Sequence, residues 1–137
     1  MADMTLLLSR LIEAVPGARS AVLLSVDGLS KYWVGLDESQ KDVLAAMASS
    51  MCSLAHQVGV HFGDSHGAGF RQVITELGDI MLFVAAAGAG SALAVLAGRE
   101  VDPRIMGYEI EMFVKQVPAH LATPSRLRNM VAGDGLQ

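Results

Sequence analysis

Between Asp42 and Asp64 the chain carries no charged side chain, and between Asp79 and Arg99 it again carries none. Stretches this long without an ionised group must be covered by a core, a membrane or another molecule, because apolar surface left in water costs roughly 25 cal/mol per Å². The first stretch holds Ser49, Ser50, Ser53, His56, Gln57 and His61, too many polar groups for the hydrocarbon of a bilayer. The second is broken at Gly88-Ala89-Gly90-Ser91 into two apolar runs of about eight residues, the length of buried strands. No cluster of Lys or Arg marks a cytoplasmic flank. The expectation is therefore a domain without a membrane span, in which one uncharged helix and two buried strands need cover.

At 137 residues the chain is long enough for one domain with a full core. Hydrophobic residues make up 52% and charged residues 18%, which excludes a disordered chain and fits one that hides apolar surface in an oligomer. The formal net charge is −4, and no basic run exceeds Arg126-Leu127-Arg128, so no track for nucleic-acid phosphates is expected. Cys52 is the only cysteine, which rules out an intrachain disulfide and a cysteine-based zinc site. The first ten residues lack the positive segment of a secretory signal, and Asp3, Arg10 and Glu13 interrupt the apolar run that follows. A cytoplasmic location is expected.

Met4, Leu7, Leu8, Leu11, Ile12 and Val15 recur with helical spacing, with Asp3 as N-cap and Pro16-Gly17 as the stop. Residues 18–25 and 29–34 read as two strands joined by a tight turn at Asp27-Gly28. Ser39-Gln-Lys-Asp42 matches a capping box, so a second helix is expected from near Gln40 to about Phe62. Residues 69–76, 80–87 and 91–98 read as three further strands, and Asp102-Pro103 opens a last helix with Met106, Ile110, Phe113 and Val117 on one face. Beyond residue 121, Pro124 and Gly133-Asp134-Gly135 mark a flexible tail over 122–137. The expected fold is α+β: one domain over 1–121 in α/β/α layers, ordered helix-strand-strand-helix-strand-strand-strand-helix. Its five-stranded sheet is mostly antiparallel, with the central helix on one face and the terminal helices on the other.

On a helical wheel the central helix shows two adjacent stripes. Leu44, Met47, Met51, Leu54, Val58 and Phe62 form a large apolar stripe suited to the chain's own sheet. Ala45, Ala48, Cys52, Ala55 and Gly59 form a small one, where a second helix can approach closely. Ser49, Ser50, Ser53, Gln57 and His61 complete an uncharged polar face, a platform for a partner. A solvent-facing helix would carry Glu and Lys there. The expectation is a symmetric dimer in which the small stripe meets its copy. The polar third strand, with Phe70, Gln72 and Ile74, fits a sheet edge that pairs with its twin. On this reading Ala48→Glu or Cys52→Arg should split the dimer.

The Val22-Leu-Leu-Ser-Val-Asp-Gly-Leu29 hairpin after a helix ending in Pro16-Gly17, the Ala/Ser-rich central helix, Gly78-Asp-Ile-Met-Leu-Phe-Val-Ala-Ala-Ala-Gly88 and Ser91-Ala-Leu-Ala-Val-Leu-Ala97 occur in a fixed order over roughly residues 4–121. In this the chain resembles the roadblock/dynein-light-chain family, especially its small bacterial members. The resemblance implies a homodimer joined through the third strands and central helices. It also implies a non-enzymatic role in binding and regulating a Ras-like small GTPase, alongside a sensor-kinase-like protein from the same operon, with recruitment to the membrane through such partners. No catalytic finger is identifiable in the sequence, so stimulation of GTP hydrolysis is not carried over.

No phosphate-binding P-loop is present. His61, Asp64 and His66 match no helical ligand spacing and read as loop residues at a helix end rather than a metal site. Cys52 reads as a buried small side chain, and its proximity to His56 does not make a catalytic dyad. Trp33 and Tyr32 read as semi-buried strand residues. No cofactor is expected. The competing reading is a ligand-sensing domain of similar layers, which would need a cavity; the filled apolar faces predict none.

Overall fold

In the computed structural model, residues 3–63, 70–88 and 90–117 are described; the expected tail, with Arg126 and Arg128, and the segment holding Asp64 and His66 lie outside them. Asp3 caps α1 (Met4–Ala14) by accepting a hydrogen bond from Thr5 N at 3.0 Å. Asp102 does the same for α3 (Pro103–Lys115), accepting from Arg104 N at 2.9 Å with Pro103 in the first turn. Both caps satisfy backbone donors that a helix start leaves free. β1 (Ala18–Ser25) turns into β2 (Ser30–Val34) at Gly28. There φ is +96° and the amide donates to Ser25 O at 2.9 Å, a conformation that favours glycine. Gly35 (φ +75°) allows no side chain at all: a Cβ would lie 2.7 Å from Arg19 O.

The central helix, α2 (Glu38–Phe62), starts two residues earlier than expected, from a different capping box. Asp37 accepts from Gln40 N at 2.7 Å, and Gln40 Oε1 accepts from Asp37 N at 3.0 Å. The Ser39–Asp42 pairing fails because the box needs a side chain long enough to reach back a full turn, and Asp42 instead accepts from Ser30 Oγ at 2.9 Å and Lys41 Nζ at 3.1 Å. Asp37→Ala is expected to cost about 1 kcal/mol, read as a lower urea midpoint with an unchanged slope.

The sheet is completed by β3 (Gln72–Glu76), β4 (Ile80–Ala86) and β5 (Ser91–Gly98), in the order β2-β1-β5-β4-β3. Every pairing is antiparallel. Alternation splits the apolar residues of the central strands between two cores. Leu23, Phe83, Leu93 and Val95 face α1 and α3, whereas Val22, Leu24, Leu82, Val84, Ala92 and Ala94 face α2. Coverage on both faces explains why β4 and β5 read as continuous apolar runs. The order and layering match the sequence expectation. β3 begins at Gln72, so Phe70 and Arg71 fall outside the expected strand; residue 69 lies outside the described residues.

Candidate functional site: the outer face of α2 and the free sheet edge

α2 packs on the sheet chiefly through the small stripe; of the large stripe, which the sequence assigned to the sheet, only Leu44 and Met51 turn inward. Ala45 and Ala48 are fully buried and Cys52 is 6% exposed. All three sit in one core with Val22, Leu24, Leu82 and Val84 of the chain's own sheet. Because β1 and β4 already present bulky side chains on this face, close packing is reached with small ones on the helix. Ala45, Ala48 and Cys52 are therefore spent inside the subunit and cannot form the dimer contact assigned to them; Ala55 and Gly59 are half-buried. Burial also raises the pKa of the Cys52 thiol above its ordinary value, so it stays neutral and is a poor nucleophile.

The large stripe faces outward instead. Of its six residues, Leu44 is buried and Met51 half-buried, whereas Met47, Leu54, Val58 and Phe62 are each more than half exposed, as is Val43 beside them. From His56 to Phe62 every residue is exposed except half-buried Gly59. By length and composition α2 is long and apolar enough to cross a membrane, although part of that apolar surface is committed to the sheet.

Beside the apolar row lie the expected platform residues. Ser50, Ser53, Gln57 and His61 are exposed. The Ser50 hydroxyl donates to Ala46 O at 3.2 Å, and His61 Nδ1 lies 2.9 Å from Gln57 O. Ser49 leaves the platform: its hydroxyl donates to Val26 O at 2.6 Å and ties α2 to the β1–β2 turn.

β3 stands at the edge of the sheet. Phe70, just before it, packs on the α2 core. Gln72 and Ile74 pair with Ala85 and Phe83 and so share the opposite face, with Ile74 45% exposed. The three residues assigned to edge pairing thus do not lie on one side of the sheet, although they belong to one edge.

Sequence reasoning missed the anchor at the other end of α2. Lys41 Nζ lies 4.2 Å from the centre of the Trp33 ring, with Asp42 at 3.1 Å and Glu38 at 3.4 Å. The hydrogen bond from Lys41 holds the Asp42 carboxyl below its usual pKa, helped by Ser30, and the same bond raises the pKa of Lys41. The stack fixes the start of the helix over β2. A Trp in the strand and a Lys in the first helical turns were the visible signal. Trp33 and Tyr32 are half-buried as expected.

The expectation of no cavity is corrected as well. A cleft of about 390 Å³ opens between α2 and the turn end of the sheet, lined by residues that include Val26, Cys52, Ser53, His56 and Phe70. Among the described residues no group of three His, Cys, Asp or Glu side chains is placed to hold a metal.

No curated protein sequence matches the chain. Among solved structures, a Roadblock/LC7 domain from Streptomyces avermitilis is 49% identical with a TM-score of 0.83, covering 88% of this chain and 99% of that one. Myxococcus xanthus MglB is 13% identical with a TM-score of 0.76, covering 88% and 95%. An MglB with tetrameric arrangement is 16% identical with a TM-score of 0.72, covering 81% and 82%. The two MglB likenesses are likenesses of fold. The family model described as Roadblock/LC7 domain matches residues 4–97, and with this match the chain belongs to the Roadblock/LC7 family.

Proposed function

We propose that the protein is a homodimeric, non-enzymatic adaptor that binds a Ras-like small GTPase and modulates its nucleotide state or location. One observation carries this reading: a 25-residue helix turns Val43, Met47, Leu54, Val58 and Phe62 outward with no charge between Asp42 and Asp64. Helix turns that have no packing partner among the described residues are marginal in water on their own, and a contiguous apolar row of this kind marks an interaction surface. A twofold contact is self-complementary, so the apolar row of one copy covers that of the other, and the open edge of β3 extends the sheet into its twin. The dimer contact thus moves from the small stripe to the large one.

The Ser50, Ser53, Gln57 and His61 row remains on the outside of such a dimer as the docking face. Family membership suggests the GTPase as its partner, and the MglB described with a tetrameric arrangement is a relative in which self-association occurs. The proposed place of action is the cytoplasm, with a sensor-kinase-like protein as a further partner and recruitment to the membrane through these partners.

Sedimentation of the wild type at micromolar concentration is expected to give a dimer; a monomer removes the basis of the reading. Gln57→Glu is expected to weaken binding of a Ras-like small GTPase by about tenfold, through an unpaired charge in the contact, and to leave the dimer intact. Pull-down in each nucleotide state reads the effect, and unchanged binding would refute the platform.

A further inference from the structure

We infer that the cleft between α2 and the turn end of the sheet binds a small, uncharged, largely apolar molecule carrying a hydrogen-bonding group. The cleft has a structural cause. α2 lies tightly on the sheet at Ala45 and Ala48, both fully buried, but from His56 onward its side chains are exposed. Past Cys52 the helix therefore loses most of its burial, and the cleft lies there, between Cys52, Ser53 and His56 of α2 and Val26, Phe70 and Ser91 at the turn end of the sheet.

Its walls are held in place without any ligand. Ser49 Oγ donates to Val26 O at 2.6 Å, fixing the helix to the β1–β2 turn. Val26 N donates to Gly90 O at 3.0 Å, fixing that turn to the β4–β5 turn. The cleft is a groove open to solvent on the side of Ser53 and His56, and its volume of about 390 Å³ is that of a small-molecule site, roughly 300–1,000 Å³.

The lining sets the class of ligand. Val26, Phe70 and the neutral Cys52 thiol supply apolar contact, and Ser53, His56 and Ser91 supply hydrogen-bonding groups. Among the described residues, no Asp, Glu, Lys or Arg lines the cleft. An ion brought against these residues would lose hydration without gaining a fixed opposite charge from them, so this lining favours uncharged molecules. An apolar guest gains contact with Val26, Phe70 and Cys52 while its hydrogen-bonding group meets Ser53, His56 or Ser91.

The inference rests on the cleft alone and requires neither the dimer nor the GTPase. Indole, planar and neutral with one N–H donor, is a suitable probe, and indole-3-acetate is its charged counterpart. In an amide-resolved NMR titration of the full chain, indole should give saturable shifts at sub-millimolar concentration, clustered at Val26, Cys52, Ser53, His56 and Ser91. Indole-3-acetate should bind at least about tenfold more weakly. Ser53→Phe, at an exposed position on the cleft wall, should abolish the shifts with an unchanged melting temperature; Ser91→Val, at the start of a strand, is the second variant should the first fail to fold. Shifts that rise linearly without saturating, that centre on α1 and α3, or that are as strong with the acetate would overturn the inference.

Discussion

Ala48→Glu is expected to destabilise the fold severely, not to release a well-folded monomer. Ala48 is fully buried between α2 and the sheet, packed with Val22, Leu24 and Val84. A glutamate there either buries an unpaired carboxylate or forces the helix off the strands. Leaving a buried charge without a partner costs about 3–5 kcal/mol, and overpacking adds about 1–3 kcal/mol. A domain of this size has about 5–15 kcal/mol in total. Circular dichroism should show lost or strongly weakened structure at room temperature. Leu54→Glu is the matched control, because Leu54 is 68% exposed. It should keep the folded spectrum while shifting sedimentation toward the monomer. A folded, monomeric Ala48→Glu would mean that the small stripe does face another chain, and that α2 is turned about its axis relative to the packing described here.

Phe83→Ala is expected to have the second-largest effect. Phe83 is 1% exposed and lies in the middle of β4, in the core that joins the sheet to α1 and α3. It is among the largest fully buried side chains, and Val95 of β5 and Ile74 of β3 are its strand partners. With neighbours on both sides fixed by hydrogen-bonded strands, the cavity left behind cannot collapse fully. A loss of about 3–5 kcal/mol follows. Urea unfolding at one fixed protein concentration, so that self-association contributes equally to both chains, should show a lower midpoint with the same slope. A loss below about 1 kcal/mol would mean that this layer is loosely packed.

Features governed by near neighbours along the chain are legible in the order of residues. Asp3 and Asp102 cap their helices by contacts two residues away. The Gly28 turn closes through Ser25, and β5 spans residues 91–98 as expected. The same local logic failed at the start of α2, where Asp37-x-x-Gln40 and Ser39-x-x-Asp42 both fit the pattern and only side-chain reach separates them. The polar character of β3 marked it as an edge. The sequence does not show, however, that Phe70 falls on one face while Gln72 and Ile74 fall on the other, because that depends on where the short strand begins.

By itself, the sequence determined that an uncharged helix and two apolar strands had to be covered, and hence the three layers and their order, because periodicity and burial are written along each element. Which stripe of α2 turns inward was decided only by the tertiary structure. Two stripes of one helix compete for one sheet face, and the outcome depends on the size of the side chains that strands distant in sequence place opposite them. Val22, Leu24, Leu82 and Val84 fill that face, so Ala45, Ala48 and Cys52 go in with Leu44, and Met47, Leu54, Val58 and Phe62 are left exposed. The cleft beside Cys52 is likewise decided by tertiary structure: it is space between α2 and the turns at one end of the sheet, lined by residues far apart in the chain, and no residue encodes it alone.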